Sequence, residues 1–306
     1  DWISLVRLVH LYQVVKTFDL TNPLLLAAYG DKTKKSGYYE VEVGQKPKVL
    51  RYEDKMIRGA IKAKDADKII YTEQTFVDFP DYWVSDLSFR KSKKITNANP
   101  QQSNFKWGKR VLVDYTDDRG HQLQATLALP ADYDSTKTYP MIVYFYEKMS
   151  QRHHQYSMPR YDDRPHMSTY ASNGYLVLMP YIVFDTGLPG SSALDDVTSA
   201  VKEVIKLGYA DPDKVGLQGH SWGGYESSFI VTQTDMFATV VTGAPLTNLI
   251  SMYTVVYKRS GNLNGPILEW SQGRMGVTPW ENMELYRSQS PLHHAQNIKT
   301  PFLILH

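Results

Sequence analysis

Five short, nearly continuous apolar runs constrain this chain more than any other feature: Met141 to Tyr146, Tyr175 to Met179, Val215 to Leu217, Thr239 to Val241 and Phe302 to Leu305. Runs of this length, without alternation, are expected of strands buried on both faces, as in a parallel sheet. A parallel sheet needs crossover helices, and one lies between the second and third runs. Val197, Ala200, Val201, Val204 and Ile205 make one apolar face; Ser192, with Asp195 three residues on, reads as its cap, and Gly208 ends it. Strand, helix, strand repeated is the grammar of an α/β domain.

Residues 1–105 read differently. Gly37 to Gly44 alternates between bounding glycines, and Lys68 to Thr72 and Tyr82 to Ser85 follow after Asp-, Lys- and Pro-containing turns. No helical period is evident between Tyr38 and Pro100, so antiparallel β structure is expected, in a sandwich or propeller blades. The polar stretch Asn97 to Asn104 marks a boundary, giving domains 1–105 and 106–306. Just beyond it, Arg110 to Tyr115 and Leu123 to Leu129 flank Asp117-Asp118-Arg119-Gly120, a hairpin signal.

The segment Lys214-Val215-Gly216-Leu217-Gln218-Gly219-His220-Ser221-Trp222-Gly223-Gly224-Tyr225 carries the chemistry. Gly219-x-Ser221-x-Gly223 has the pattern of a nucleophile elbow, a tight strand-to-helix turn that lifts a serine hydroxyl to the sheet edge. Glycines two before and two after let the two backbones approach without a Cβ clash. Five residues of this pattern arise by chance in about one chain in ten of this length. The context decides: an apolar run precedes it, helix-compatible Tyr225 to Thr232 follows, and then comes the next apolar run. A serine nucleophile needs a base, an acid that orients the base, and donors for the oxyanion. The backbone N–H of Trp222, next after the nucleophile, is the first such donor.

The same residues resemble the prolyl oligopeptidase family, in particular its dipeptidyl peptidase IV and acylaminoacyl-peptidase branches. The likeness rests on Gly219 to Tyr225, Tyr139-Pro140 with the run to Tyr146, Ser172-Asn173-Gly174-Tyr175, Gly208 to Pro212, Gly243-Ala244-Pro245, Ser290-Pro291-Leu292 and Thr300 to His306. It covers about 106–306. The resemblance implies an α/β-hydrolase domain, incomplete at its C-terminus, preceded by antiparallel strands that form the last blades of a β-propeller. It implies hydrolysis of short peptides through an acyl-enzyme on Ser221, with no cofactor. Tyr146 falls where such enzymes place a tyrosine whose hydroxyl completes the oxyanion hole, although Glu147-Lys148-Met149 replaces the usual Gly-Pro after it. Leu246, Tyr253 and Tyr257 fall where the family lines its primary specificity pocket.

In this fold the acid and the base follow the nucleophile, in that order. The family places the acid just after the strand matched by Phe302 to Leu305 and the histidine tens of residues later, so both are expected beyond His306. His293, His294 and His306 are not expected to substitute, and Asp235, Glu269, Glu281 and Glu284 read as solvated surface. Residues 1–306 are therefore expected to be an incomplete chain that labels weakly with a fluorophosphonate. Two other readings stay open: an esterase or acyl hydrolase of the same fold, or a non-catalytic accessory subunit.

Composition narrows the rest. A net charge of +2 argues against nucleic acid as a partner. With no cysteine there is no thiolate chemistry, and the compartment stays open, with a lean towards export. The adjacent pairs His153-His154 and His293-His294 are expected to point apart, and His-Glu-x-x-His does not occur, so no metal is expected. The most apolar stretch, Trp2 to Val15, is interrupted by Arg7 and His10, so no membrane span is expected. A homo-oligomer or larger complex is compatible with all of this.

Overall fold

A computed structural model describes residues 3–9, 18–158 and 166–306. Part of the Trp2 to Val15 stretch lies outside them. The chain divides into two compact units, Asp1–Lys106 with Gln151–Ser157, and Trp107–Ser150 with Met158–His306.

The first unit holds two four-stranded antiparallel sheets in which chain order is also spatial order. One comprises β1 (Ile3–Leu8), β2 (Leu24–Gly30), β3 (Ser36–Val41) and β4 (Lys48–Glu53); the other β5 (Met56–Lys62), β6 (Ile69–Gln74), β7 (Asp81–Ser85) and β8 (Lys93–Lys94). Each is a meander of the kind that forms a propeller blade. Leu25 and Tyr38 from one sheet and Ile57, Ala60, Ile69 and Tyr71 from the other bury together with Phe89, whose ring stacks on Tyr38 at 4.9 Å. Polar groups register the two sheets. The Ile57 N–H donates to Ser36 Oγ (2.7 Å) and the Ala60 N–H to the Tyr38 hydroxyl (3.0 Å). Residues 151–157 return to this unit, where the Tyr156 N–H donates to Gln74 Oε1 at 2.9 Å.

The second unit is built on a seven-stranded sheet. Its strands are β9 (Lys109–Thr116), β10 (Gln122–Leu129), β11 (Tyr139–Tyr144), β12 (Leu176–Met179), β13 (Ala210–His220), β14 (Thr239–Gly243) and β15 (Phe302–Leu305). The spatial order is β15-β14-β13-β11-β12-β10-β9. The first hairpin and the β10–β12 pair are antiparallel; from β12 to β15 every pairing is parallel. The helices are α1 (Met167–Ser172), α2 (Pro189–Lys206), α3 (Trp222–Gln233), α4 (Leu249–Tyr253), α5 (Gly265–Trp270) and α6 (Met283–Ser288). None of the described helices is long and apolar enough to cross a membrane.

The apolar runs read in the sequence form the core. Leu127, Val143, Leu176, Leu178 and Val215 pack with Val197, Val201 and Val204 of α2 and Ile230 of α3, all at most 1% exposed. Each such side chain contributes about 1.5–3 kcal/mol relative to leaving it in water. At β15, paired with β14, Leu303, Ile304 and Leu305 are about half exposed among the described residues, short of the both-face burial expected.

The start of α2 also differs from expectation. The helix begins at Pro189, three residues before Ser192, because proline's fixed φ suits a first helical turn. Ser192 Oγ accepts instead from the Asp185 N–H (3.0 Å) and from Arg119 Nη1 (3.1 Å). Arg119, at the hairpin turn, is gripped by Asp117, Asp185, Asp195 and Asp196 at 2.7–3.0 Å. Burial pushes the Asp196 carboxyl up to about 7, whereas His121 and Arg119 hold Asp117 below the usual range against its own burial. The cluster ties the hairpin, the loop after β12 and α2 into one piece.

Candidate active site

Strand order reverses around β11: β12 returns to one side of it and β13 passes to the other. In open α/β sheets the crevice outside the carboxyl ends of the strands at such a switch point is where ligands bind. Two sequence-predicted residues lie at that edge. Tyr144, last in β11, is in register with Gln218 of β13, so Tyr146 and Ser221 leave adjacent strands side by side.

Ser221 sits between β13 and α3 with φ 59° and ψ −115°, a conformation that non-glycine residues rarely adopt. Its N–H donates to the Gly243 carbonyl (2.9 Å) and its carbonyl accepts from the Tyr225 N–H (3.0 Å). The flanking glycines are required by contact. A Cβ on Gly219 would lie 1.9 Å from the Gly223 carbonyl oxygen, and one on Gly223 would lie 2.5 Å from the Phe145 carbonyl oxygen. One on Gly224 would lie 2.5 Å from the Gly243 carbonyl oxygen. The elbow thus closes against β11 and β14 at once. Ser221 is half-buried, and no described side chain hydrogen-bonds its Oγ.

Trp222 begins α3, where backbone N–H groups lack intrahelical partners and the helix dipole favours negative charge. Its indole is buried against Tyr225, ring centroids 4.5 Å apart. Tyr146 lies beside the elbow, with Cδ2 3.8 Å from a Cβ placed on Gly223. Its hydroxyl accepts a hydrogen bond from Gln272 Nε2 at 2.7 Å.

Leu246 and Tyr253 pack in one apolar cluster with Trp222, Tyr146 and Leu268. The Tyr253 ring lies over Gly265 and meets Trp280 edge-on at 5.3 Å, and its hydroxyl donates to Glu269. That hydrogen bond, with some burial, pushes the phenol up to about 12, so it stays protonated; Glu269 is not the idle surface acid expected. Tyr257 is outside the cluster, 41% exposed, and donates to Asn264 Oδ1 at 2.8 Å. Four of the six predicted site residues therefore surround Ser221's turn or share its apolar wall, and Tyr257 stands apart.

Sequence reading missed three residues here. Gln272 and Arg274 lie 126 and 127 residues from their partners Tyr146 and Glu147, with no local pattern to betray them. Glu226, on the first turns of α3, is fully buried, and neither oxygen has a hydrogen-bond partner among the described residues. Burial, helped by the charge of Glu147, pushes its carboxyl well up. Its signal was a charged residue inside an otherwise apolar and small-residue helix.

The other histidines do different work. His294 Nε2 lies 3.0 Å from the Ser288 carbonyl, its ring edge-on to Phe229. The His153 and His154 rings, expected to point apart, meet edge-on at 4.7 Å. Among the described residues one group of potential metal ligands occurs, Asp117, Asp195 and Asp196, and Arg119 fills it.

The sequence profile of the prolyl oligopeptidase family matches residues 186–306. An uncharacterised peptidase of Bacillus subtilis, YuxL, is 25% identical over 89% of this chain. Dipeptidyl-peptidase 5 of Porphyromonas gingivalis is 27% identical over 62% of it. The chain spans 41% and 28% of the length of these two relatives. Among solved structures, an acylaminoacyl peptidase of Pyrococcus horikoshii superposes with a TM-score of 0.70 at 18% identity, over 92% of this chain and 44% of its own. Dipeptidyl peptidase 4 of P. gingivalis gives 0.71 at 17% identity, over 94% and 40%. These likenesses extend through both units and show the fold: antiparallel blade-like strands followed by an α/β-hydrolase domain.

Proposed function

We propose that this chain, whose residues 186–306 match the prolyl oligopeptidase family profile, supplies the nucleophile half of a serine peptidase acting on short peptides. Ser221 Oγ attacks the scissile carbonyl carbon, and the peptide amine leaves with a proton as the acyl-enzyme forms. The Trp222 N–H and the Tyr146 O–H receive the oxyanion; Leu246 and Tyr253 wall the pocket for a small apolar side chain. The observation that carries this reading is the strained turn at Ser221, held open to the crevice where β11 and β13 end. Such strain persists only where the surroundings impose it, and it clusters at reactive residues. The relatives' names, dipeptidyl-peptidase and acylaminoacyl peptidase, favour an exopeptidase or oligopeptidase over an esterase.

The test is a comparison on the full-length gene product of aminoacyl-proline anilides, acyl-aminoacyl anilides and short acyl esters. Anilide hydrolysis that disappears in Ser221→Ala supports the peptidase; ester hydrolysis alone moves the assignment to an esterase. The rival reading is a non-catalytic subunit of the same fold. A full-length product that fails to label with a fluorophosphonate would select it.

A further inference from the structure

A tyrosine can serve an oxyanion only if its one proton is uncommitted. Its hydroxyl has one donor and two acceptor positions, so its partner in the resting site decides whether it can act. Here that partner is Gln272 Nε2, which donates to Tyr146 Oη at 2.7 Å and leaves the phenol proton unclaimed by any described residue.

The turn that presents Gln272 is held from several sides. Gly273 is pressed on α5, where a Cβ would lie 2.3 Å from the Leu268 carbonyl oxygen, and its N–H donates to the Ile267 carbonyl at 3.0 Å. Arg274 adopts φ 48°, and its carbonyl accepts from the Gly187 N–H at 2.7 Å. The Arg274 guanidinium donates back to the Gln272 carbonyl (3.0 Å), lies over the Phe184 ring (4.8 Å to the centroid), and reaches Glu147 at 2.7 Å. The turn therefore touches two consecutive residues of the loop after β11, one through an amide and one through an ion pair. Glu147 stands where the resemblance leads one to expect the small pair after the tyrosine, and its carboxylate is held by Arg274.

We propose that Gln272 is a positioning residue for the oxyanion hole: it occupies an acceptor position of the Tyr146 hydroxyl so that the proton points to the crevice, while the Arg274–Glu147 pair fixes the turn that carries it. The inference rests on Tyr146 acting as an oxyanion donor.

The test is a double-mutant cycle in the full-length gene product, using kcat and KM on a peptide anilide and variants checked to melt as the parent does. Tyr146→Phe is expected to lower kcat by about 100-fold, the scale for losing one oxyanion donor. Gln272→Met is expected to lower kcat about tenfold, with KM unchanged within twofold. In the Tyr146→Phe background it should have no further effect, because groups acting as a unit are not additive. Gln272→Glu offers only acceptors and should capture the phenol proton, falling below Gln272→Met. Gln272→Met losing the same factor in both backgrounds, or Gln272→Glu keeping parental kcat, overturns the role of Gln272 while leaving that of Tyr146 standing. A Tyr146→Phe enzyme with parental kcat removes the tyrosine reading and this inference with it.

Discussion

Replacing Ser221 by alanine or by glycine should separate backbone strain from chemistry. Both substitutions delete the hydroxyl, so both should abolish acylation. Alanine keeps the Cβ that makes φ 59°, ψ −115° unfavourable; glycine removes it. A conformation of this kind costs a non-glycine residue about 1–3 kcal/mol. Against that relief stands glycine's larger entropy in the unfolded chain, about 0.5–1 kcal/mol relative to alanine. The side chain contributes little else, since no described group hydrogen-bonds it. The difference leaves Ser221→Gly more stable than Ser221→Ala by about 1 kcal/mol, or roughly 2–4 °C for a unit of this size. At an unstrained site the order is the reverse. Denaturant titration of both variants, followed by the fluorescence of the buried Trp222 nearby, measures the sign directly. A glycine variant less stable than the alanine variant would refute the argument that this turn is strained.

Gly219→Ala forces a Cβ to within 1.9 Å of the backbone oxygen of Gly223, where no side chain can yield, so it should destabilise the second unit by about 3 kcal/mol and erase activity; thermal melting checks the first. Arg119→Met leaves Asp117 and Asp196 buried without their cation and should lower stability by about 3–5 kcal/mol, read by urea unfolding. Glu226 gives a pH signature. Its folded pKa is raised by burial, so the folded state holds a proton that the unfolded chain releases above its ordinary pKa of 4.5. Stability should fall as pH rises from there, by about 1.4 kcal/mol per unit between the two pKa values. Glu226→Gln should reduce that slope, leaving the part that Asp196 contributes up to about pH 7, and a slope above pH 5 that is unchanged in the variant would remove Glu226 as a source.

Much of the second unit was legible because its strands are local. A run such as Met141 to Tyr146 or Leu176 to Met179 is apolar on both faces, and only a doubly covered strand needs that. The elbow was legible because its geometry is set within five residues, where two glycines must stand on either side of the serine. β2, β4 and β5 were harder, since strands with one wet face mix lysines, tyrosines and alanines in patterns that loops share. The beginning of α2 was misplaced because Ser192 has the chemistry of a cap, and only the arginine reaching it from the hairpin shows that its hydroxyl is engaged elsewhere.

The amino-acid order alone determined that a serine would be lifted from a buried strand into a helix, because near-neighbour sterics dictate that turn. It also determined the α/β class, since periodicity is a property of the segment. Tertiary structure decided everything that joins distant segments: that β11 and β13 are neighbours, so Tyr146 meets the elbow; that Arg119 gathers four carboxylates; that Gln272 reaches Tyr146 across 126 residues. Such contacts leave no trace in local sequence, because the free energy that selects them comes from burying the whole sheet and its helices together.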